Sequence, residues 1–200
     1  MKIDIPKGWR KLTLGKFIQL LDLPETGQEV TDFINKLSVI SGIDPDKLKK
    51  NVRATDLEKI AKKMSFLSEF PKPKKKDWFL WKMKFYKRKP FAETTTSQIA
   101  DIMKLNENEN NEGQKILNVI SVIYYKGKDE QYSAERFAKM KTEFEDLPFN
   151  IALDSSVFFL SGLITYLQIV LTGYSKFQKK MNLGQMEDLH EKMQKLKEKK

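Results

Sequence analysis

Met1-Lys2-Ile3-Asp4 leads through Trp9 and Thr13 to Leu20-Leu21-Asp22-Leu23, and the same order returns as Met83-Lys84-Phe85-Tyr86, Phe91, Thr95 and Ile102-Met103-Lys104-Leu105. The correspondence continues with Lys36-Leu37-Ser38-Val39-Ile40 against Val119-Ile120-Ser121-Val122-Ile123, and with Glu58-Lys59-Ile60-Ala61-Lys62 against Glu135-Arg136-Phe137-Ala138-Lys139. The first copy carries extra residues around Asp44-Pro45-Asp46-Lys47-Leu48. Self-similarity over a long period is a fold signal, because each copy is one supersecondary unit. The reading is a mainly α protein: two tandem strand-plus-three-helix repeats packed with a long central apolar C-terminal helix. Function then belongs to a surface the copies share, or to a groove between them, rather than to a catalytic centre.

Composition narrows the class. A chain of 200 residues that is 40% hydrophobic can bury a substantial core, which excludes disorder throughout. Without cysteine there are no disulfides, thiolate metal sites or thiol nucleophiles, and a reducing compartment is expected. Asp4, Lys7, Arg10, Lys11 and Lys16 interrupt the region where a secretory signal would be apolar, so the expected location is the cytoplasm. The net charge of +10 favours an acidic partner: nucleic acid, an anionic membrane or an acidic protein.

Local signals place the elements. Lys2-Ile3-Asp4-Ile5 alternates as a short strand stopped by Pro6 and Gly8. Thr13 caps a helix with Leu14, Phe17, Ile18 and Leu21 on its apolar face. Thr26 and Glu29 have capping-box spacing before a helix that buries Val30, Phe33, Ile34, Leu37 and Ser41 and stops at Gly42. Asp44 caps a turn with Pro45 in first position, and a second box at Thr55 and Glu58 opens a helix with Leu57, Ile60, Ala61, Met64 and Leu67. The second copy presents Ile99, Ile102 and Met103, then Ile116, Ile120 and Ile123, then Phe137, Met140 and Phe144, with Pro148 as a stop. The expected organisation is repeat 1 over 1–70, a basic Pro/Lys linker over 71–77, repeat 2 over 78–150, a buried apolar helix over 151–183 and a charged tail helix over 184–200.

The sharpest local chemistry lies from Trp78 to Phe91. Phe79, Trp81, Met83 and Phe85 alternate with Leu80, Lys82, Lys84 and Tyr86, as a single strand would require. Lysines flank it on both sides. Aromatics among cations can stack bases and neutralise phosphates, so Lys74, Lys75, Lys76, Trp78, Trp81, Lys82, Lys84, Tyr86, Lys87 and Arg88 form a candidate nucleic-acid site. The competing reading makes the aromatics a core strand and the lysines a solvated edge.

Ser155 to Ser175 has no charged residue and is long enough for a membrane span. About ten strongly apolar residues at roughly −0.3 to −0.6 kcal/mol each supply only about −5 kcal/mol toward insertion, which favours a central helix of the protein over a span. Met186, Leu189, Met193 and Leu196 recur at helical spacing in the tail, as a partner-binding or a frayed terminal helix would.

Catalytic constellations are poorly represented. His190 is the only histidine, and the glycines form neither GxxxxGK[ST] nor GxGxxG. Asn106 to Glu112 fails the calcium-loop pattern at Asn111 and Leu117. Glu143, Glu145 and Asp146 read as a solvated helix end. No catalytic residue, metal site or cofactor is expected.

Thr13-Leu14-Gly15-Lys16-Phe17, the apolar helix ending at Ser41-Gly42, Pro45-Asp46-Lys47-Leu48 and Ala54-Thr55-Asp56-Leu57-Glu58-Lys59-Ile60 resemble the helical core of tail assembly chaperones of tailed phages. The likeness covers roughly residues 12 to 69 and, less closely, 95 to 147. It implies a small, helical, non-enzymatic phage assembly or structural factor that binds a tape measure or tail tube protein in the host cytoplasm, or stays in the virion. The second copy, the apolar helix after Asp154 and the basic charge depart from that family's usual size. A basic nucleic-acid-binding or virion-packaged protein is the alternative, and a membrane-associated protein anchored by Val157 to Leu171 the third.

Overall fold

The computed structural model describes residues 3–90, 93–127 and 130–157, which fall within one compact unit. The elements are α1 (Leu14–Leu21), α2 (Glu29–Ser41), α3 (Pro45–Asn51), α4 (Ala54–Met64), β1 (Trp78–Trp81), β2 (Lys84–Arg88), α5 (Thr96–Glu107), α6 (Glu112–Ile123), β3 (Tyr124–Tyr125) and α7 (Ala134–Glu145). A short, tighter turn, Ser65–Ser68, extends α4, and a helical stretch opens at 149 and is still helical at 157, the last described residue. The molecule is therefore mainly helical, with one small antiparallel sheet in the order β1-β2-β3. Beyond 157, the expected apolar helix and charged tail lie outside the described residues, as does Phe91.

Helix ends follow local chemistry where a single side chain suffices. Thr13 accepts from the Lys16 amide, and Asp44 accepts from the amides of Asp46 and Lys47 with Pro45 in the first turn. Gly42 closes α2 at φ 73°, the left-handed conformation that glycine adopts without a Cβ penalty. Thr95 and Gln98 form a reciprocal capping box at α5.

Four expectations are corrected. Ile3–Ile5 is unpaired and forms no strand; the nearest β-bridge joins Thr13 to Pro148, so Ile5 is buried by packing instead. Thr26 does not cap α2: its amide and hydroxyl both donate to Asp32 Oδ1 at 3.0 and 2.7 Å, which leaves Gln28 as cap. Thr55 lies inside α4, whose cap is Arg53, because α3 ends only at Asn51 and leaves no room for a longer loop. The segment from Trp78 is a hairpin rather than one strand.

The buried centre is α6. Every residue from Ile116 to Tyr125 is buried, because α1, α5 and α7 all pack against it. A one-sided amphipathic reading of α6 identified only Ile116, Ile120 and Ile123. Conversely, Val30 and Ala61 of the expected α2 and α4 stripes are exposed. The two helical stretches therefore share a core, with Leu14 N donating to Leu147 O and Phe149 N to Leu12 O, both at 2.8 Å. Trp9, Phe17 and Phe149 pack at this junction with their rings tilted or edge-on to one another, the ring centroids of Phe17 and Phe149 being 4.1 Å apart. Each fully buried large side chain of this kind is worth about 1.5–3 kcal/mol.

Helices α1 and α6 approach closely at Gly113. A Cβ there would lie 2.8 Å from Ile18 Cγ1 and 3.0 Å from Phe17 Cδ1. Gly113→Ala gains helix propensity but overpacks the contact between α1 and α6, and a net loss of about 1–3 kcal/mol is expected. Urea unfolding measures it; a stabilised variant would contradict this packing.

Candidate functional site

Two residues, Lys82 and Met83, turn β1 into β2, both at positive φ (46° and 60°) as a two-residue primed turn requires. Trp78 pairs with Lys87, Phe79 with Tyr86, Leu80 with Phe85 and Trp81 with Lys84. Partners opposite each other share a face, so the hairpin separates residues that a continuous strand would have placed together. Phe79, Trp81, Lys84, Tyr86 and Arg88 belong to the inner face; Trp78, Leu80, Phe85 and Lys87 to the outer.

The inner face is spent on structure. Phe79 and Tyr86 are buried against Phe144 and Tyr124. Glu143 of α7 accepts from Lys126 Nζ at 2.6 Å, from Lys84 Nζ at 3.2 Å and from the Tyr86 hydroxyl. Burial pushes the Glu143 carboxyl up, but these three donors together outweigh it and hold the group down at about 2. Burial, with the Glu143 hydrogen bond, pushes the Tyr86 phenol well above its ordinary value. Lys82 pairs with Asp146 at 2.7 Å, and the buried Arg88 with Asp77 at 2.9 Å. Of the ten residues proposed from sequence to meet nucleic acid, Lys82, Lys84, Tyr86 and Arg88 therefore have carboxylate partners within the protein, and Trp81 faces inward. Lys76 pairs with Asp154 at 3.6 Å, and its carbonyl accepts from the Tyr124 hydroxyl, so the basic 71–77 stretch is docked on the core.

The outer face remains open. Trp78 is 57% exposed, Leu80 58%, Phe85 48% and Met83, at the turn, 92%. The Trp78 and Phe85 rings stack at 5.5 Å. Beside them a groove of about 630 Å³ runs past Lys87, Lys89 and Pro90 to Tyr125, over whose ring Lys89 Nζ sits at 4.3 Å. Phe85 was missed as a site residue because Lys82-Met83 carries none of the glycine or asparagine that marks such a turn, and without the turn its parity is reversed; Leu80, before the turn, shares the face of Trp78 either way and is neither basic nor aromatic. A smaller groove of about 320 Å³ lies between α2 and α4, formed by Val30, Phe33, Leu57 and Ala61 with Glu29 and Glu58 at its rim.

The other candidates have local structural roles. Asn111, in the ligand-rich run before α6, caps that helix through Gln114 N and donates to Ile18 O and Asp22 Oδ1. Glu145 and Asp146 are exposed. Among the described residues there is no group of three metal-ligating side chains, and no helix long and apolar enough to cross a membrane. Comparison with protein-family models, with curated proteins and with solved structures finds no match.

Proposed function

We propose that this protein is a non-enzymatic binding protein, an assembly factor of the phage tail-chaperone kind, that holds an apolar segment of a partner protein on the outer face of its hairpin. The observation that carries this reading is the contiguous row of Trp78, Leu80, Met83 and Phe85, large apolar side chains left in water. Such patches mark interaction sites, because leaving them solvated forfeits burial worth about 25 cal/mol per Å². β1 is also an edge strand, so an extended partner segment can add backbone hydrogen bonds beside the aromatic row. By the sequence resemblance, the partner is a tape measure or tail tube protein met in the host cytoplasm during assembly.

Co-expression with tape-measure and tube proteins followed by pull-down tests the proposal. Trp78→Ala and Phe85→Ala should each weaken capture about tenfold or more, as central aromatic anchors do, while far-UV circular dichroism stays unchanged because both side chains are exposed. Failure to bind any morphogenetic protein would refute the assembly role.

One observation favours a second reading. The stacked Trp78–Phe85 pair beside Lys87 and Lys89 has the chemistry of a base-stacking platform. In that case Trp78→Ala should cost about 1–3 kcal/mol in single-strand affinity, with Trp81→Ala much less effective. Oligonucleotide titration at low and high salt separates this from the protein-binding reading.

A further inference from the structure

A further concavity, of about 730 Å³, is walled by three segments distant in sequence: 7–11, 71–76 and 150–154. The first contributes Lys7, Arg10 and Lys11; the second Lys72, Lys74 and Lys76. The only carboxylate among its described lining residues is Asp154, which is already engaged by the Lys74 amide at 2.7 Å and by Lys76 Nζ at 3.6 Å. Lys7, Arg10, Lys11 and Lys72 have no carboxylate partner among the described residues. A space of this volume is roughly one Debye length across, about 10 Å at 0.1 M salt, so the repulsion among the cations is only partly screened.

The fold accepts that repulsion in a rigid setting. Gly8, at φ 137°, bends the first segment in a conformation other residues rarely adopt, and Lys11 N donates to Gly8 O at 3.0 Å. The Trp9 indole then donates to Glu69 O at 2.8 Å, tying the first segment to the approach of the second. Phe149 N donates to Leu12 O, tying it to the third. The cationic side chains are therefore gathered by fixed backbone rather than scattered on a loop. Asn150 adds an unmet polar group: its buried Oδ1 has no hydrogen-bond partner, so no protein contact fixes which way the amide faces, and it can turn to donate. The wall between the cations is apolar, formed by Trp9, Pro71 and Ile151.

We propose that this cavity binds a compact anion carrying several phosphates, of the triphosphate class. Lysine ammonium groups suit phosphate as point charges, and clustered phosphates match the number of uncompensated cations. A cavity walled by three segments, with a volume in the range of small-molecule sites, fits a compact anion better than a continuing strand. This site is separate from the hairpin face and does not depend on the assembly role.

Isothermal titration with inorganic triphosphate, ATP and a thymidine oligonucleotide tests it, with tryptophan fluorescence as a second readout through Trp9. Triphosphate should bind saturably, one per chain, with a Kd on the order of micromolar. ATP should compete with it; tighter binding of ATP would place the base on the apolar wall, and equal binding would leave the phosphates alone as the ligand. Lys11→Glu with Lys72→Glu should weaken binding about tenfold or more. Lys47→Glu with Lys50→Glu, on α3 and with the same change in net charge, should leave it within about twofold. Lys11→Gln with Lys72→Gln repeats the test with a milder change. Equal loss in both charge-reversal pairs, no saturable triphosphate binding, or an oligonucleotide that displaces ATP from the cavity with higher affinity would each overturn the proposal.

Discussion

Arg136→Ala is expected to destabilise the protein by about 3–5 kcal/mol, a large share of a typical domain's 5–15 kcal/mol. The reason lies at the end of α6, which runs fully buried into β3 with no solvated cap. Its last carbonyls need donors. Arg136, 7% exposed on α7, supplies them: Nη1 donates to Ser121 O at 2.9 Å and Nη2 to Tyr124 O. Its guanidinium also lies 4.0 Å from the Tyr125 ring centroid, and Glu130, 3.5 Å from Nε, balances the charge. Truncation strands two buried carbonyls at about 1–3 kcal/mol each and removes the ring contact. Arg136→Lys should still lose about 2 kcal/mol, because one ammonium lacks the planar fork that reaches both carbonyls. Urea midpoints for the three proteins decide it; an Arg136→Ala midpoint within error of wild type would mean the carbonyls are solvated.

Glu143→Ala is expected to cost about 3 kcal/mol near neutral pH, since it leaves the Tyr86 hydroxyl and Lys84 without their acceptor and Lys126 without its carboxylate. The same carboxylate predicts an acid limb. Burial alone would raise it, but with three donors its folded value stands near 2 against an ordinary 4.5. A depressed carboxyl contributes stability that is complete above its unfolded value and is lost as pH falls from about 4.5 toward 2. With solvent screening at the rim, that contribution is about 1–2 kcal/mol. Wild type should therefore lose more stability between about pH 5 and pH 3 than Glu143→Gln, which cannot titrate there. Parallel pH curves for the two would show that the three donors do not hold the carboxylate.

The two largest effects both come from side chains whose sequence context advertises nothing. In a window around Ser133 to Phe144, Arg136 is one polar residue of an amphipathic helix, aligned with the exposed Lys59 of the first stretch. Its importance arises because α7 crosses the buried end of α6. Glu143 reads as part of an acidic helix end with Glu145 and Asp146, yet Glu143 is the half-buried member that gathers three donors, while Asp146 makes one exposed pair with Lys82. The outer hairpin face was partly legible: Trp78 and Lys87 were identified, Leu80 was left out of the site, and Phe85 was assigned to the wrong surface. One unmarked turn at Lys82-Met83 reverses parity for everything after it.

Sequence alone determined most of the described helices and several of their ends, though it read α3 as a turn, because the physics involved is local. Thr13, Asp44 with Pro45, and Gly42 act within one turn of the residues they punctuate, and apolar spacing near 3.6 needs no knowledge of what it will pack against. Net charge likewise followed from composition. Only the tertiary structure decided which apolar residues reach water, which lysines keep their charge unpaired and how three distant segments enclose one cationic cavity. Val30 and Ala61 are exposed while α6 is buried on every side from Ile116 onward, although their apolar spacing looks alike. Burial and ion pairing depend on neighbours that the chain brings together only after folding, and at Lys82-Met83 those neighbours, not local preference, hold two residues at positive φ.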